Sequence, residues 1–533
     1  MDRVVGPPGC GKTTWLSRQV ALAYDAGHSV MVCSLTNAAA TEIAHGVADK
    51  QNLRLPKEAM GTLHSHAYHA LRRGKIGIAE DREHLAEWNE AHPEMLLSGG
   101  RTLDEDTMHF EMDTEADACL ADYNNQRARL ISREYWRQST QGFAKLWEGW
   151  KREQDLLDFT DLLELALRDC DTAPGNPSAV FADEAQDFSA LEMALLQKWG
   201  EEAGRLVVVG DPWQSLYEWR GADARLVFPV DEINRVLKQS YRVPVAVHRC
   251  AMDWIEKMPG YSPIEYRPTA EMGEVHPCAA TADRPERALD VVERALADGK
   301  SVMYLASCAR MLKPTLALMR QRGIPFHNDY RAAEGAWNPL RVRRTGVTGA
   351  QRLAAFLQIS EAGTWSKEDV RRWGPAVKGS ETFPGGISWK KMETAVNNLV
   401  DNEIIDIGLW ETLVGRETVD AGMGQDLGWW LEHLLASRRE AAQYPANIAK
   451  HRGRGALLAT PAVTVGTIHS VKGGEADVVL LAPDVSVPGA TEWAASDAGK
   501  ASIYRLFYVG ITRARESLHI LQPVKRERAV RLI

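Results

Sequence analysis

Long apolar runs are missing from these 533 residues, and none approaches the roughly 20 needed to cross a bilayer. A secretory leader is not expected either, because Pro7, Pro8 and three glycines break up the first dozen residues. Cysteine is sparse: seven residues stand singly between Cys10 and Cys308, with no C-x-x-C pair. That spacing excludes a zinc or iron–sulfur framework and suits reduced thiols in a cytoplasmic protein. Low-complexity segments and internal repeats are absent as well. Basic excess is lacking, since the formal net charge is −9. A passive coat for nucleic acid is usually basic, whereas a machine with a narrow internal channel can be acidic outside. The length asks for about three or four compact units.

What is present begins at once. "GPPGCGKT", Gly6 to Thr13, fits the G-x-x-x-x-G-K-[ST] phosphate loop. "RVV" before it reads as a strand, and "KTTWLSRQVALAYDAG" after it as a helix ending near Gly27. Backbone N–H groups of Gly6, Gly9, Cys10, Gly11 and the helix start would surround the phosphates. Lys12 would neutralise them, and Thr13, followed by Thr14, would offer its hydroxyl to Mg²⁺. The loop alone does not distinguish a kinase, a GTPase and a motor.

"AVFADEAQDF" narrows the choice. Ala179 to Ala182 read as a buried strand that delivers Asp183 and Glu184 at its C-terminal end. Asp183 would hold the Mg²⁺ shell, and Glu184 would orient and deprotonate an attacking water. A kinase needs no such residue. A third strand, Val207 to Val209, leads into "GDPWQSLYEWRGAD". There Gln214 can sense a γ-phosphate, and Trp219 with Arg220 can meet something flat and negatively charged, such as a base strand.

With these come further motifs in a fixed order. "SLTNAAATEIA" (34–44), "GTLHSHAYHAL" (61–71) and "LLDFTDLL" (156–163) precede the acidic pair's strand. "QSYRVP" (239–244), "TVGTIHSVKGGEADVVLL" (464–481) and "RLFYVGITRARESL" (505–518) follow it. Together they resemble the UvrD/Rep/PcrA-like group of superfamily 1 DNA helicases. The resemblance implies an α/β fold of two RecA-like P-loop NTPase lobes with parallel sheets, each interrupted by a mainly helical insertion. It puts the first lobe at 1–71 and 156–240, with its insertion at 72–155. It puts the second at 241–330 and 455–533, with its insertion at 331–454.

The resemblance also assigns roles. Tyr241 stacks on the nucleotide base, Arg242 reaches the γ-phosphate, Glu475 approaches the ribose, and Arg513 is an arginine finger from the second lobe. Arg505 and Arg515 are nearby alternatives, read first as structural or surface residues. Thr36, Asn37, His64, Trp219, Arg220, Thr467, His469 and Lys472 match strand-contacting positions; His64 is preferred to His66. The implied substrate is ATP with Mg²⁺, and the implied partners are single-stranded DNA and junctions with duplex, with no membrane and an unnamed loading partner. The implied activity is ATP-driven movement on single strands, 3′→5′, with strand separation. A nucleotide-switched clamp that senses DNA without processive unwinding is the rival.

Some features depart from the family pattern. Only "MDRVV" precedes Gly6, so the upstream adenine-reading glutamine is missing, a shortened front end that predicts weak discrimination between ATP and GTP. Leu35 replaces a frequent stacking phenylalanine, and no lysine follows Asn37. In the first insertion, Phe143, Leu146, Trp147 and Trp150 share one helix face by spacing. "LDEDTMHFEMDTEADA" reads as a solvated acidic face, and "RVRR" (341–344) and "KHRGR" (450–454) as either duplex-phosphate contacts or plain surface.

Overall fold

The structure is a computed structural model that describes residues 1–34, 43, 55–71, 74, 76–98, 114–329, 336–340, 346–399 and 405–533. The chain forms two compact units. One comprises Met1–His276, Asp484–Leu518 and Glu527–Ile533; the other comprises Pro277–Pro483 and His519–Arg526. The stretches 241–276 and 484–518 therefore pack with the phosphate loop's own unit.

The first unit is built on a six-stranded sheet ordered Met60–Thr62, Val30–Ser34, Ala179–Ala182, Leu206–Gly210, Asp2–Val5, Arg235–Val236, with every neighbouring pair parallel. Its central strands are short and apolar throughout, as expected for strands covered on both faces. Val5, Val180, Phe181 and Val207 to Val209 are completely buried. Val5 lies beside Gly210, and Ala182 beside Val208. That register brings the loops starting at Gly6, Asp183 and Asp211 to one edge of the sheet, where open parallel sheets place their ligands.

Helices Glu115–Ala128 and Gln138–Glu153 pack through Trp88, Tyr123, Trp136, Phe143, Trp147 and Trp150. Leu146 is exposed instead of joining this stripe. At about 100° per residue, the buried set from Thr140 to Lys151 centres on Phe143 and Trp147 and leaves Leu146 at its margin.

A buried ion cluster ties these helices to helix Phe159–Asp169. Arg127 donates to Asp158 at 3.0 and 3.1 Å, to Asp161 at 2.6 Å and to Glu164 at 2.6 and 2.9 Å; Lys151 also contacts Asp158 and Asp161. Asp158 caps helix Phe159–Asp169 in a reciprocal box with Asp161. Burial alone would raise the Asp158 pKa, but Arg127 and Lys151 outweigh it and hold the carboxyl below its usual range. Asp158→Ala leaves two buried cations short of a partner and is expected to cost about 3–5 kcal/mol. A thermal or urea melt checks this, and an unchanged midpoint would show the cluster to be dispensable.

The second sheet has the order Val463–Thr467, Val302–Ala306, Ala476–Leu481, Ala514–Leu521, Glu274–Cys278, and the chain crosses between the units within its last two strands. Helices from Gly349–Ala362 to Ala436–Arg452 enclose Phe356, Trp365, Trp373, Trp410 and Trp430, all completely buried or nearly so. In "KHRGR", Arg452 donates to the Gly323 carbonyl at 2.9 Å, and Arg454 pairs with Glu361 at 2.6 Å. Both guanidiniums hold the fold together within this unit. "RVRR" lies outside the described residues, as does most of the acidic stretch before Thr114. Among the described residues no helix is long and apolar enough to cross a membrane.

Candidate active site

Two glycines in the phosphate loop have left-handed backbones, Gly9 at φ +73° and Gly11 at φ +72°. Gly9 is also crowded: a Cβ there would meet Arg242 Cβ at 2.5 Å and Ser240 Oγ at 2.7 Å. The loop is strapped to the segment 240–266. The Pro8 carbonyl accepts from Ser240 Oγ at 2.9 Å and from the Tyr266 hydroxyl at 3.0 Å, while the Tyr241 N–H donates to the Gly9 carbonyl at 2.9 Å. Tyr241 and Arg242 thus sit directly on the loop, and the Tyr241 side chain is 79% exposed beside Gly11. Helix Lys12–Asp25 begins at Gly11 with no side-chain cap and no acidic residue in its first turn. Its leading N–H groups, from Lys12, Thr13 and Thr14, suit an anion. Burial pushes the Cys10 thiol up to about 12, so it stays neutral and contributes its backbone only.

Across the sheet edge, Thr13 Oγ1 donates to Asp183 Oδ2 at 3.1 Å. Burial, then the neighbouring Glu184, raises the Asp183 pKa to about 7, with Lys12 opposing. A buried carboxylate pushed this way, next to a hydroxyl oxygen, suits a hard divalent cation. Glu184 is half-buried in a left-handed conformation, φ +51°, of the kind that costs about 1–3 kcal/mol and gathers at functional sites.

Gln186 holds it there. Its amide nitrogen donates to Glu184 Oε2 at 2.5 Å, and its amide oxygen accepts from the Asp211 N–H at 2.9 Å. Sequence reasoning missed Gln186. The available signal was a two-faced amide between the acids of "DEAQD", the side-chain type that can serve a carboxylate and a backbone N–H together.

From Asp211 a hydrogen-bonded chain runs outward. Gln214 Nε2 donates to Asp211 Oδ2 at 2.6 Å, and Arg513 Nη2 donates to Gln214 Oε1 at 2.8 Å. Arg513 is buried and also donates from Nε to the Val509 carbonyl at 2.9 Å. Burial raises the Asp211 pKa first of all. Of its neighbours, Arg515 is exposed and Arg505 is buried. The structure therefore gathers Lys12, Thr13, Asp183, Glu184, Gln214, Tyr241, Arg242 and Arg513 into one compact unit.

The strand-contacting candidates are more dispersed. Thr36 and Asn37, with Leu35, lie outside the described residues. His64 is half-buried, 4.0 Å from Glu192 and edge-on to Phe159. His66 is buried against the Val32 carbonyl. Trp219 is half-buried and Arg220 exposed, on a short turn ending at Gly221, φ +93°.

In the second unit, Thr467 and His469 are packed inside. Thr467 Oγ1 accepts from the Ser470 N–H, which starts the turn His469–Val471. Burial, helped by Lys472, pushes the His469 imidazole down to about 4, so it is neutral at pH 7. Lys472 is half-buried and Glu475 exposed.

A glycine loop at a parallel-sheet edge, a Thr–Asp pair beside it and a catalytic-type glutamate define a RecA-like P-loop nucleotide-binding fold. Residues 3–232 match the UvrD/REP helicase N-terminal domain and residues 446–523 the UvrD-like helicase C-terminal domain, together more than half of the chain. The chain belongs to the UvrD/Rep/PcrA-like helicase family. It is 27% identical over 405 residues to the ATP-dependent DNA helicase UvrD2 of Mycobacterium tuberculosis, covering 70% of this chain and 52% of that protein. It is 24% identical over 266 residues to DNA helicase II of Escherichia coli, 45% of this chain and 36% of that one. With the ATP-dependent DNA helicase PcrA of Staphylococcus aureus it shares 26% over 290 residues, 48% and 37% respectively. The matched region spans about half, or less, of each relative's length.

Proposed function

We propose that the protein is an ATP-dependent DNA helicase that moves on single-stranded DNA and separates duplex strands. The observation that carries this reading is the Asp211–Gln214–Arg513 chain. It starts at the sheet edge that bears the phosphate loop, passes through Gln214, which opens the loop that carries Trp219, and ends on Arg513.

ATP fits the residues present. The exposed Tyr241 ring stacks on the base, which needs no base-specific hydrogen bond. The loop amides, Lys12 and Arg242 bind the phosphates. Thr13 and Asp183 hold Mg²⁺, whose chemistry when bound is to neutralise the β- and γ-phosphoryl oxygens. Glu184, aimed by Gln186, orients the attacking water and takes its proton. Gln214 and Arg513 meet the γ-phosphate. Arg513 offsets the charge that builds on the transferring group, and Gln214 passes the presence or loss of that group to the turn beyond it.

Trp219 stacks on a base and Arg220 meets a phosphate, a grip worth about 1–3 kcal/mol per base that does not depend on base identity. Thr36, Asn37, His64 and Lys472 are proposed to add contacts, with Thr467 and His469 supporting the Lys472 turn from inside. Direction, 3′→5′, follows the family resemblance, as do junctions of single and double strands as substrate.

Strand displacement on 3′- and 5′-tailed duplexes tests the reading. ATP-dependent separation of the 3′-tailed duplex is expected. DNA-stimulated hydrolysis without any displacement would favour the clamp instead.

A further inference from the structure

Helix Asp497–Ile511 and the residue beyond its cap touch the Gln214–Arg220 segment at more than one point. Arg513 donates to Gln214 Oε1 at 2.8 Å. Two turns earlier, Arg505 Nη1 donates to Glu218 Oε1 at 2.5 Å. Between them the Tyr508 ring meets Trp213 edge-on, with centroids 5.8 Å apart. Arg505 and Tyr508, three residues apart, share one face of the helix, and Arg513 follows just beyond its cap. Arg505 lies within the helix and Arg513 beyond its end, eight residues later in the chain.

From the other side, the turn is held by its backbone. Arg129 Nη2 donates to the Glu218 carbonyl at 2.8 Å, and Asn125 donates to the Trp219 carbonyl. Both donors come from the end of helix Glu115–Ala128.

One of these attachments, Arg513 to Gln214, joins two residues already assigned to the γ-phosphate. The Arg505–Glu218 pair is a second attachment, and Glu218 immediately precedes Trp219. Both partners are largely shielded from water, Arg505 more than Glu218, so salt screens the attraction weakly.

We propose that Arg505 and Glu218 are positioning residues that transmit movement of the Arg513 helix to the Trp219 turn, coupling hydrolysis to the grip on the strand. The inference rests on the reading of Trp219 as a strand contact. A helix fixed to a loop at a single point can pivot on it. With a second point at Glu218, displacement at Gln214 is carried to Trp219 as well.

The experiment measures ATP turnover of the full chain with and without single-stranded DNA, for the unaltered protein, Glu218→Gln, Arg505→Gln and the double variant. Glu218→Gln keeps the side chain's shape and removes only its charge, which guards against misfolding. DNA stimulation is expected to fall about tenfold in each single variant, within the usual range for coupling between sites. Turnover without DNA and the KM for ATP should stay within about twofold. The double variant should lose no more than the more affected single, because both act through one pair.

Undiminished stimulation in both singles, or losses that multiply in the double, would overturn the coupling while leaving the helicase reading intact. Absence of stimulation in the unaltered protein would overturn both.

Discussion

Glu184→Gln is expected to lower ATP turnover by about 10²–10⁴-fold, the usual contribution of a positioned general base, while leaving nucleotide affinity nearly unchanged. The substitution is close to isosteric. The new side chain still offers an oxygen to the Gln186 amide, which donates to Glu184 at 2.5 Å, so the left-handed turn at φ +51° has no reason to relax. What disappears is the ability to take a proton from water. On the proposed reading affinity rests instead on the loop amides, Lys12 and Tyr241, none of which the substitution alters. Single-turnover hydrolysis and binding of a fluorescent nucleotide measured side by side separate the two effects. Turnover within about threefold of the unaltered protein would remove Glu184 from the chemistry.

Arg513→Ala is expected to cost about 10³–10⁵-fold in turnover, the range found when an arginine that stabilises the transferring phosphoryl group is removed. The guanidinium is already engaged, donating to Gln214 and to the Val509 carbonyl, so little reorganisation is needed when a γ-phosphate arrives. Because Arg513 is buried, truncation also removes packing and leaves Gln214 Oε1 without this donor. Arg513→Lys provides the control. It retains the charge but not the planar fork, and should recover only a small part of the rate. A melt run on each variant distinguishes lost chemistry from lost fold. Equal turnover in Arg513→Ala and the unaltered chain, both folded, would reassign the γ-phosphate contact to Arg242.

How much of this was legible beforehand depended on distance along the chain. The phosphate loop could be read because its demands are local. Gly9 needs both a left-handed backbone and room beside Ser240 and Arg242, and the flanking strand and helix announce themselves by composition. The apolar strands before Asp183 and Asp211 were equally plain. The geometry around Gln186 was not, because a buried amide shows its partners only once Asp211 is brought beside it by strand pairing.

The Arg505–Glu218 pair joins residues 287 apart, and no periodicity reports such a meeting. The grouping of 484–518 with the phosphate loop's unit depends on similar distant packing. The Trp254 indole, for example, donates to the Tyr504 carbonyl at 2.8 Å. Leu146 shows a smaller limit: spacing gave the stripe, but only packing fixed its edge. His469 carries a recognisable motif position, and its burial could not be read from that motif.

The central claim is that ATP hydrolysis at Lys12 and Glu184 is coupled to a single strand held at Trp219. Steady-state hydrolysis at saturating Mg·ATP, with and without an unstructured single-stranded oligonucleotide, tests it most directly. The account predicts a stimulation of about tenfold or more that Trp219→Ala largely removes. A rate indifferent to the strand, or a stimulated rate indifferent to Trp219, would contradict it.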